Sequence, residues 1–192
     1  LSSRIPTGRL LDSQGTAQIM KGDSLVDSGV VLKYLAADYE FFNAYGIEMA
    51  AGRNFSKNIP TDDTLAFIIN EAAVRKLGWK SNDEGIDKDF QYGGTKGKLI
   101  GVVKDFHFES LHQEITPMVF ICSPGSYGNI SVKIAGGNIQ DGIEHLQRVW
   151  KSFLPIRPFD YAFMSDQYER LYEAEQKQGQ LFTVFSGLAI FI

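Results

Sequence analysis

Residues 65–78, Leu-Ala-Phe-Ile-Ile-Asn-Glu-Ala-Ala-Val-Arg-Lys-Leu-Gly, carry the strongest structural signal in this chain. The apolar run Leu65–Ile69 predicts a short buried strand. Asn70 suits the N-cap of a helix, because its side-chain oxygen can accept a hydrogen bond from a backbone N–H of the first turn. We expect that helix to run from Glu71 to Leu77 and to end at Gly78. The pattern therefore predicts a strand that leads directly into a capped helix.

Strand and helix patterns alternate on both sides of this stretch and predict an α+β fold. Polar breaks at Asn58–Thr64 and Pro124–Ser126 predict boundaries near residues 63 and 126. We therefore expect one α+β unit built from both chain ends and a β-rich lobe inserted between them. The predicted elements are a hairpin over 17–26, strands over 30–37, 47–51, 88–92, 98–106, 118–122, 130–135 and 159–164, and helices over 39–45 and 138–153.

The predicted helix after Asn138 has its apolar side chains at helical spacing, so that they form one stripe. Such a stripe is usual for a helix that packs on a core. A helix that binds a partner is the alternative.

Composition excludes several classes of protein. The chain has 192 residues, with 23 acidic and 19 basic side chains and a net charge of −4. A nucleic-acid-binding protein needs a basic surface, so we expect no nucleic-acid partner, and the acidic balance makes an anionic membrane surface a poor one. The single cysteine, Cys122, allows neither an intrachain disulfide nor a cysteine-based zinc site. Its apolar neighbours predict a buried, unreactive thiol.

The C-terminal residues suggest a membrane connection. Leu181–Ile192 contains no charged residue, and its apolar residues fall on every side of a helix. This run predicts either the start of a transmembrane helix, which we favour, or a core segment. The polar stretch Ser165–Lys177 before it predicts a stalk helix, and its surplus of acidic residues favours a domain outside the cytoplasm. With no signal peptide at residue 1, we expect the chain to be cut from a longer one.

Candidate catalytic and metal-binding residues cluster near residue 107. His107 and His112 are five residues apart, which does not place both on one helix face, although Asp105, Glu109 and Glu114 lie nearby. Ser110, His107 and Asp105 have the residue types of a catalytic triad, but neighbours on an extended chain point to opposite faces and would not converge. The glycine-rich residues 93–97 lack a phosphate-binding pattern and predict a hairpin turn. We therefore predict no catalytic, cofactor-binding or metal-binding residue.

Three stretches resemble one known family. Residues 39–55 resemble its D-x-x-F-F-x-x-Y-G-I-x-x-x-x-G-R-x-F motif. Residues 69–79 resemble its N-E-A-A-x-x-x-L-G element, and residues 99–112 its I-G-V-V-x-D-F-x-x-x-S-L-H element. Where the family has P-I-G-K-x-F, this chain has Gly-Ile-Asp-Lys-Asp-Phe at 85–90. In this order, the motifs resemble the MacB-like periplasmic core domain of FtsX/MacB-type ABC transporter permeases.

The resemblance implies a two-lobed extracytoplasmic domain with no catalytic site and no cofactor. Its porter-like α+β lobe would comprise residues 1–62 and 127–164, its inserted β-rich lobe residues 63–126, and its stalk and membrane entry residues 165–192. The protein would be a periplasmic domain of an inner-membrane transporter for efflux or for lipoprotein or peptide export. It would pair with a cytoplasmic ABC ATPase and a second permease copy, with room for a periplasmic adaptor or substrate protein.

Two other functions fit the residues less well. An extracytoplasmic ligand-sensing domain of a membrane receptor would also need a flanking membrane helix. A hydrolase would have to use His107, Asp105 or Glu109. Under the transporter interpretation the domain transmits ATP-driven motion mechanically. Gly179, between the polar and apolar C-terminal stretches, is then either a hinge or simply a tolerated glycine.

Overall fold

The computed structural model describes residues 1–6, 14–109 and 114–169. The chain forms two compact units, Leu1–Val132 and Lys133–Ile192. The first contains strands β1 (Gln14–Lys21), β2 (Ser24–Ala36), β3 (Met49–Gly52), β4 (Ala66–Asn70), β5 (Asp89–Tyr92), β6 (Thr95–Val103) and β7 (Met118–Ile121). Its helices are α1 (Phe41–Tyr45), α2 (Asp62–Leu65) and α3 (Glu71–Lys76), and a 3-10 turn covers Pro124–Ser126.

The strands of the first unit form a sheet that closes on itself. Hydrogen bonds join them in the order β3-β6-β4-β7-β2-β1-β5, and β5 also pairs with β6. A ring of six strands results, to which β3 is attached through β6. The β2–β7 and β4–β6 pairs are parallel, whereas the other pairs are antiparallel. Closure leaves few unpaired strand edges in this sheet.

The predicted strand and helix at residues 65–78 are confirmed, with small shifts at their ends. All five residues of β4 are buried, because β4 lies between β6 and β7 and both of its faces are covered. Phe67 and Ile69 join one apolar cluster with Phe90 and Leu99, and Ile68 joins a second on the other face. The core therefore lies on both sides of the sheet, and β4 runs between the two clusters.

Glycine residues in the sequence mark where helix α1 ends and where one hairpin turns. Gly46 ends α1 in the left-handed conformation with a φ of 69°. Gly93 and Gly94, with φ of 58° and 83°, form the two-residue turn that joins Tyr92 to Thr95. The glycine-rich residues 93–97 therefore make a hairpin connection, as predicted, although β6 begins within them. Helix α1 begins at Phe41, two residues later than predicted. Its N-cap residue, Glu40, makes no side-chain capping bond, but the backbone N–H of Glu40 donates to the Asp38 carboxylate at 3.2 Å.

The α+β class is confirmed, but the two-lobed architecture is not. Strands from residues 14–52 and from 63–126 belong to one sheet, since β7 pairs with β2 and β6 pairs with β3. The compact units divide after Val132 rather than near residues 63 and 126. The stretch 58–64 predicted a boundary because it is mostly polar and contains a proline. However, α2 begins within it, and the buried carboxylate of Asp62 ties this helix to Arg53 and to the backbone of Ser56.

The second unit is built around helix α4, Ile139–Phe153, which is capped by Asn138 as predicted. Gly142 of this helix lies close to Ile134, and the Trp150 ring lies 6.1 Å from that of Phe159. The strands predicted over 130–135 and 159–164 are wrong: neither forms a ladder in the part of the chain that the structure describes. Their alternation favours an extended chain, but a strand also needs a hydrogen-bonded neighbour. No residue of α4 is buried, so the expected core packing is not confirmed.

Residues 164–169 are helical, at the start of the predicted stalk. The rest of the stalk, Gly179 and the apolar run 181–192 lie outside the described residues. Within the described ranges, no helix has the length and apolar character needed to cross a membrane.

Candidate functional site

The polar residues of two of the three sequence motifs meet at the ends of β4 and β6. Asn70, the last residue of β4, is fully buried. Its Oδ1 accepts hydrogen bonds from the backbone N–H groups of Ala73 (3.1 Å) and Met118 (2.9 Å), and its Nδ2 donates to the carbonyl of Thr116 at 2.9 Å. One side chain thus caps α3 and fixes the chain that enters β7. Each polar atom of a buried amide needs such a partner.

The side chains of Glu71 and Asp105 each accept a hydrogen bond from a backbone N–H at or next to the other residue. The Asp105 carboxylate accepts from the backbone N–H of Ala72 at 2.8 Å and from the Arg75 guanidinium at 2.5 Å. Glu71 accepts in return from the backbone N–H of Asp105 at 3.1 Å and from the amide of Asn82 at 2.9 Å. The parallel pairing of β4 with β6 makes this possible, since it brings the carboxyl ends of both strands to the same edge. We call Asn70, Glu71, Arg75, Asn82 and Asp105 the motif hub.

The hub also sets the electrostatics of Glu71. The hydrogen bond from Asn82, followed by that from the backbone of Asp105, lowers the pKa of Glu71 below its usual value of 4.5. Both bonds favour the charged carboxylate and outweigh partial burial, which opposes them. Glu71 therefore works as a fixed hydrogen-bond acceptor and is poorly suited to exchange protons near neutral pH.

Arg53, the arginine of the G-R-x-F element in residues 39–55, also joins two segments of the fold through its side chain. Its guanidinium contacts both carboxylate oxygens of Asp62, at 2.6 and 2.9 Å, and the side chain of Asp62 is only 1% exposed. The same carboxylate accepts from the backbone N–H of Ser56 at 2.9 Å. The hydrogen bond with Asp62 raises the pKa of Arg53. This bidentate pair holds α2 against the turn that follows β3.

A third cluster of polar side chains surrounds the single cysteine. The carboxylate of Asp63 accepts from the Tyr39 hydroxyl and, at 3.4 Å, from the Cys122 thiol, which also lies 3.4 Å from the Tyr127 hydroxyl. Burial is the main reason that the pKa of Cys122 is raised. A thiol that resists ionisation is a poor nucleophile, so the predicted unreactive cysteine agrees with its surroundings.

Asp105 and Glu109, two of the residues considered for chemistry, both make contacts within the fold. Asp105 is engaged in the motif hub, and Glu109 contacts Lys33 and Thr116, each at 3.4 Å. Ser110 and His112 lie outside the described residues. Across residues 1–6, 14–109 and 114–169, no group of three or more His, Cys, Asp or Glu side chains could hold a metal ion.

The partners of the motif residues could not be predicted from local sequence. Asn82 and Asp62 become neighbours of Glu71 and Arg53 only through the fold. The one available signal was the presence of charged and amide residues within otherwise apolar motifs. Such residues are retained beside a core when they satisfy backbone groups there.

No protein-family model and no curated protein matches this sequence. Among solved structures, the chain is similar to the periplasmic region of MacB from Actinobacillus actinomycetemcomitans, at 13% identity and a TM-score of 0.42 over 73% of this chain and 64% of that one. It is similar to a domain of a protein described as a permease from Porphyromonas gingivalis, at 15% identity and a TM-score of 0.46 over 80% and 78%. A third is the extracellular domain of the noncanonic ABC-type transporter YknZ from Gram-positive bacteria, at 17% identity and a TM-score of 0.48 over 76% and 74%. The chain thus spans less than two thirds of the MacB region.

Proposed function

We propose that this chain is the extracytoplasmic domain of an ABC transporter permease and has no catalytic role of its own. One observation carries the proposal. The motif residues that resemble the MacB-like family bond to one another across the fold, with Glu71 and Asp105 in reciprocal contact. Motifs far apart in sequence are expected to occur together in a family when they build one structural feature, as these do.

The proposed role is mechanical. The polar side chains of the motif hub bind backbone groups and each other, which ties the ends of β4 and β6 and the start of β7 together. Such cross-links stiffen a domain, and a stiff domain can pass on a displacement applied at one end. ATP-driven motion of the transmembrane helices would reach the domain through the C-terminal stalk. ATP would be bound and hydrolysed by a separate cytoplasmic subunit, and two permease copies would act together.

The transported substrate belongs to the same proposal. We favour efflux, or export of lipoproteins or peptides, with the domain on the periplasmic side of the inner membrane. A periplasmic adaptor or substrate protein would contact it there. The acidic surplus in the stalk region supports the extracytoplasmic placement.

Purification of the full-length protein from its native membrane tests this proposal. We expect native mass spectrometry to show two copies together with an ATPase subunit. Gly179→Ala should then change the coupling between ATP hydrolysis and transport if Gly179 is a hinge. Gly125→Ala, in an exposed 3-10 turn with space for a Cβ, is the matched control. A complete gene that joins this domain to a kinase-type region, with no ATPase partner, would instead favour a ligand sensor. Hydrolysis by the purified domain that is lost in His107→Ala would favour an enzyme.

A further inference from the structure

A surface cleft of the first unit lies between α2 and the β5–β6 hairpin and has a volume of about 440 Å³. This is within the roughly 300–1,000 Å³ range of small-molecule sites. Part of its lining is apolar, from Leu65, Ala66 and Ile100. Leu65 is 44% exposed, which leaves an uncovered apolar side chain inside a cleft whose other walls are charged.

One wall of the cleft carries surplus positive charge. Asp89 contacts the ammonium groups of both Lys96 and Lys98, each at 3.0 Å. One carboxylate therefore balances two cations, and this wall keeps a net charge of one positive unit. Both lysine side chains are more than half exposed, so their remaining N–H donors can reach a ligand.

The opposite charge lies on Asp87. Among the described residues, none forms an ion pair or a side-chain hydrogen bond with the Asp87 carboxylate. The negative charge of Asp87 does help to raise the pKa of Arg53. The charge of Arg53 is already balanced by its bidentate contact with the buried carboxylate of Asp62. The cleft thus has one surplus cationic group, one surplus carboxylate and an apolar patch.

We propose that this cleft binds a small zwitterion of dipeptide size with an apolar side chain. The ammonium group of the ligand would face Asp87, its carboxylate would face Lys96 and Lys98, and its side chain would cover Leu65. A simple anion would leave Asp87 unbalanced, and a simple cation would leave the lysine pair unbalanced. The inference concerns the first unit alone and does not rest on the transporter proposal.

An NMR titration of the whole chain with the dipeptide Leu-Leu tests the inference and locates the contact. We expect saturable shifts of the backbone amides of Gly97, Lys98 and Asp87. N-acetyl-Leu-Leu-amide has the same side chains without the terminal charges and should bind roughly tenfold more weakly, because it loses two charge contacts. Shifts that spread over the surface without saturation, or equal affinity for the two peptides, would overturn the inference.

Variants of the cleft separate binding from folding. Asp87 has a left-handed backbone with a φ of 63°, which asparagine also tolerates, so Asp87→Asn removes only the charge. A double variant, Lys96→Gln with Lys98→Gln, removes the cationic pair. Each change should weaken Leu-Leu binding about two- to fivefold, the usual value of an exposed ion pair. Lys104→Gln, whose ammonium pairs with Glu48 outside the cleft, is the matched control and should leave binding unchanged. Unaltered binding in both cleft variants, or an equal loss in the control, would refute the proposed site.

Discussion

Glu71 accepts a hydrogen bond from the backbone N–H of Asp105 at 3.1 Å, although 34 residues separate the two in sequence. Asp105 returns the contact by accepting from the backbone N–H of Ala72. The start of α3 and the chain that leaves β6 are therefore fastened by two bonds in opposite directions. This relationship explains why acidic residues occur beside a buried strand: their carboxylates satisfy backbone N–H groups there.

Removal of the Asp105 carboxylate should destabilise the first unit. Asp105→Ala leaves the backbone N–H of Ala72 and the Arg75 guanidinium without their acceptor, and an unsatisfied polar group costs about 1–3 kcal/mol. We expect the free energy of unfolding in urea to fall by about that amount. Glu48→Gln breaks an exposed ion pair with Lys104 and should have a much smaller effect. Equal effects of the two variants would show that the hub adds nothing beyond a surface contact.

The lowered pKa of Glu71 predicts a loss of stability in acid. A carboxyl group whose pKa is lower in the folded protein stabilises it fully above its unfolded-state pKa, here near 4.5, and this contribution disappears as the pH falls through the folded-state pKa. Glu71→Gln should therefore be less stable than the wild type near neutral pH and should lose less on acidification. Urea unfolding at a series of pH values measures both.

The same series with Asn82→Ala identifies the cause of that shift. Asn82 supplies the largest contribution to the lowered pKa of Glu71, so its removal should reduce the acid dependence part of the way toward that of Glu71→Gln. If Asn82→Ala loses as much free energy of unfolding in acid as the wild type, the pH dependence must come from other carboxylates.

Gly97 allows β6 to approach the residue before β4. A Cβ at this position would lie 2.0 Å from the carbonyl oxygen of Leu65, a backbone atom that cannot rotate away. Gly97→Ala should therefore force the two segments apart and cost about 1–3 kcal/mol, as overpacking does. Gly125→Ala, with no atom within 4 Å of its Cβ, is the control. A thermal unfolding midpoint that is the same in both variants would contradict the close approach.

Asp87 has a φ of 63°, a left-handed conformation that favours glycine. In the P-I-G-K-x-F pattern that residues 85–90 resemble, glycine stands at this position, and a left-handed backbone suits glycine. Asp87→Gly should raise the free energy of unfolding by about 1 kcal/mol, because the penalty of a Cβ in this region is removed. Asp83→Gly, at a nearby position where the structure records no positive φ, should instead be neutral or destabilising. Chemical denaturation of the two variants decides between relief of strain and a general effect of glycine.

Cys122 should resist thiol reagents in the folded protein. Its side chain is 3% exposed, and burial raises its pKa, so both access and ionisation are unfavourable. We expect a colorimetric disulfide reagent to react slowly with the native chain and rapidly in urea. Rapid stoichiometric labelling without denaturant would show that the polar group around Asp63 opens readily.

Local patterns predicted local structure well. Asn70 caps α3 and Asn138 caps α4 because each needs only a backbone N–H two or three residues away. Most of the apolar run before Asn70 is a buried strand, and its burial is explained by the strands β6 and β7 on either side of it. The alternating residues at 130–135 and 159–164 show the limit of such patterns: alternation predicts which side chains share a face, but not whether a hydrogen-bonding neighbour exists.

The sequence by itself thus determined the α+β class, the caps, the glycine turns and the burial of Cys122, since each depends on residues a few positions apart. Only the tertiary structure decided that β5 pairs with both β1 and β6, that Glu71 meets Asp105, and that Asp87 shares a cleft with Lys96 and Lys98. The physical reason is that these contacts depend on strand order and register. Those features follow from how the whole set of apolar faces packs together, and no short stretch of the chain contains that information.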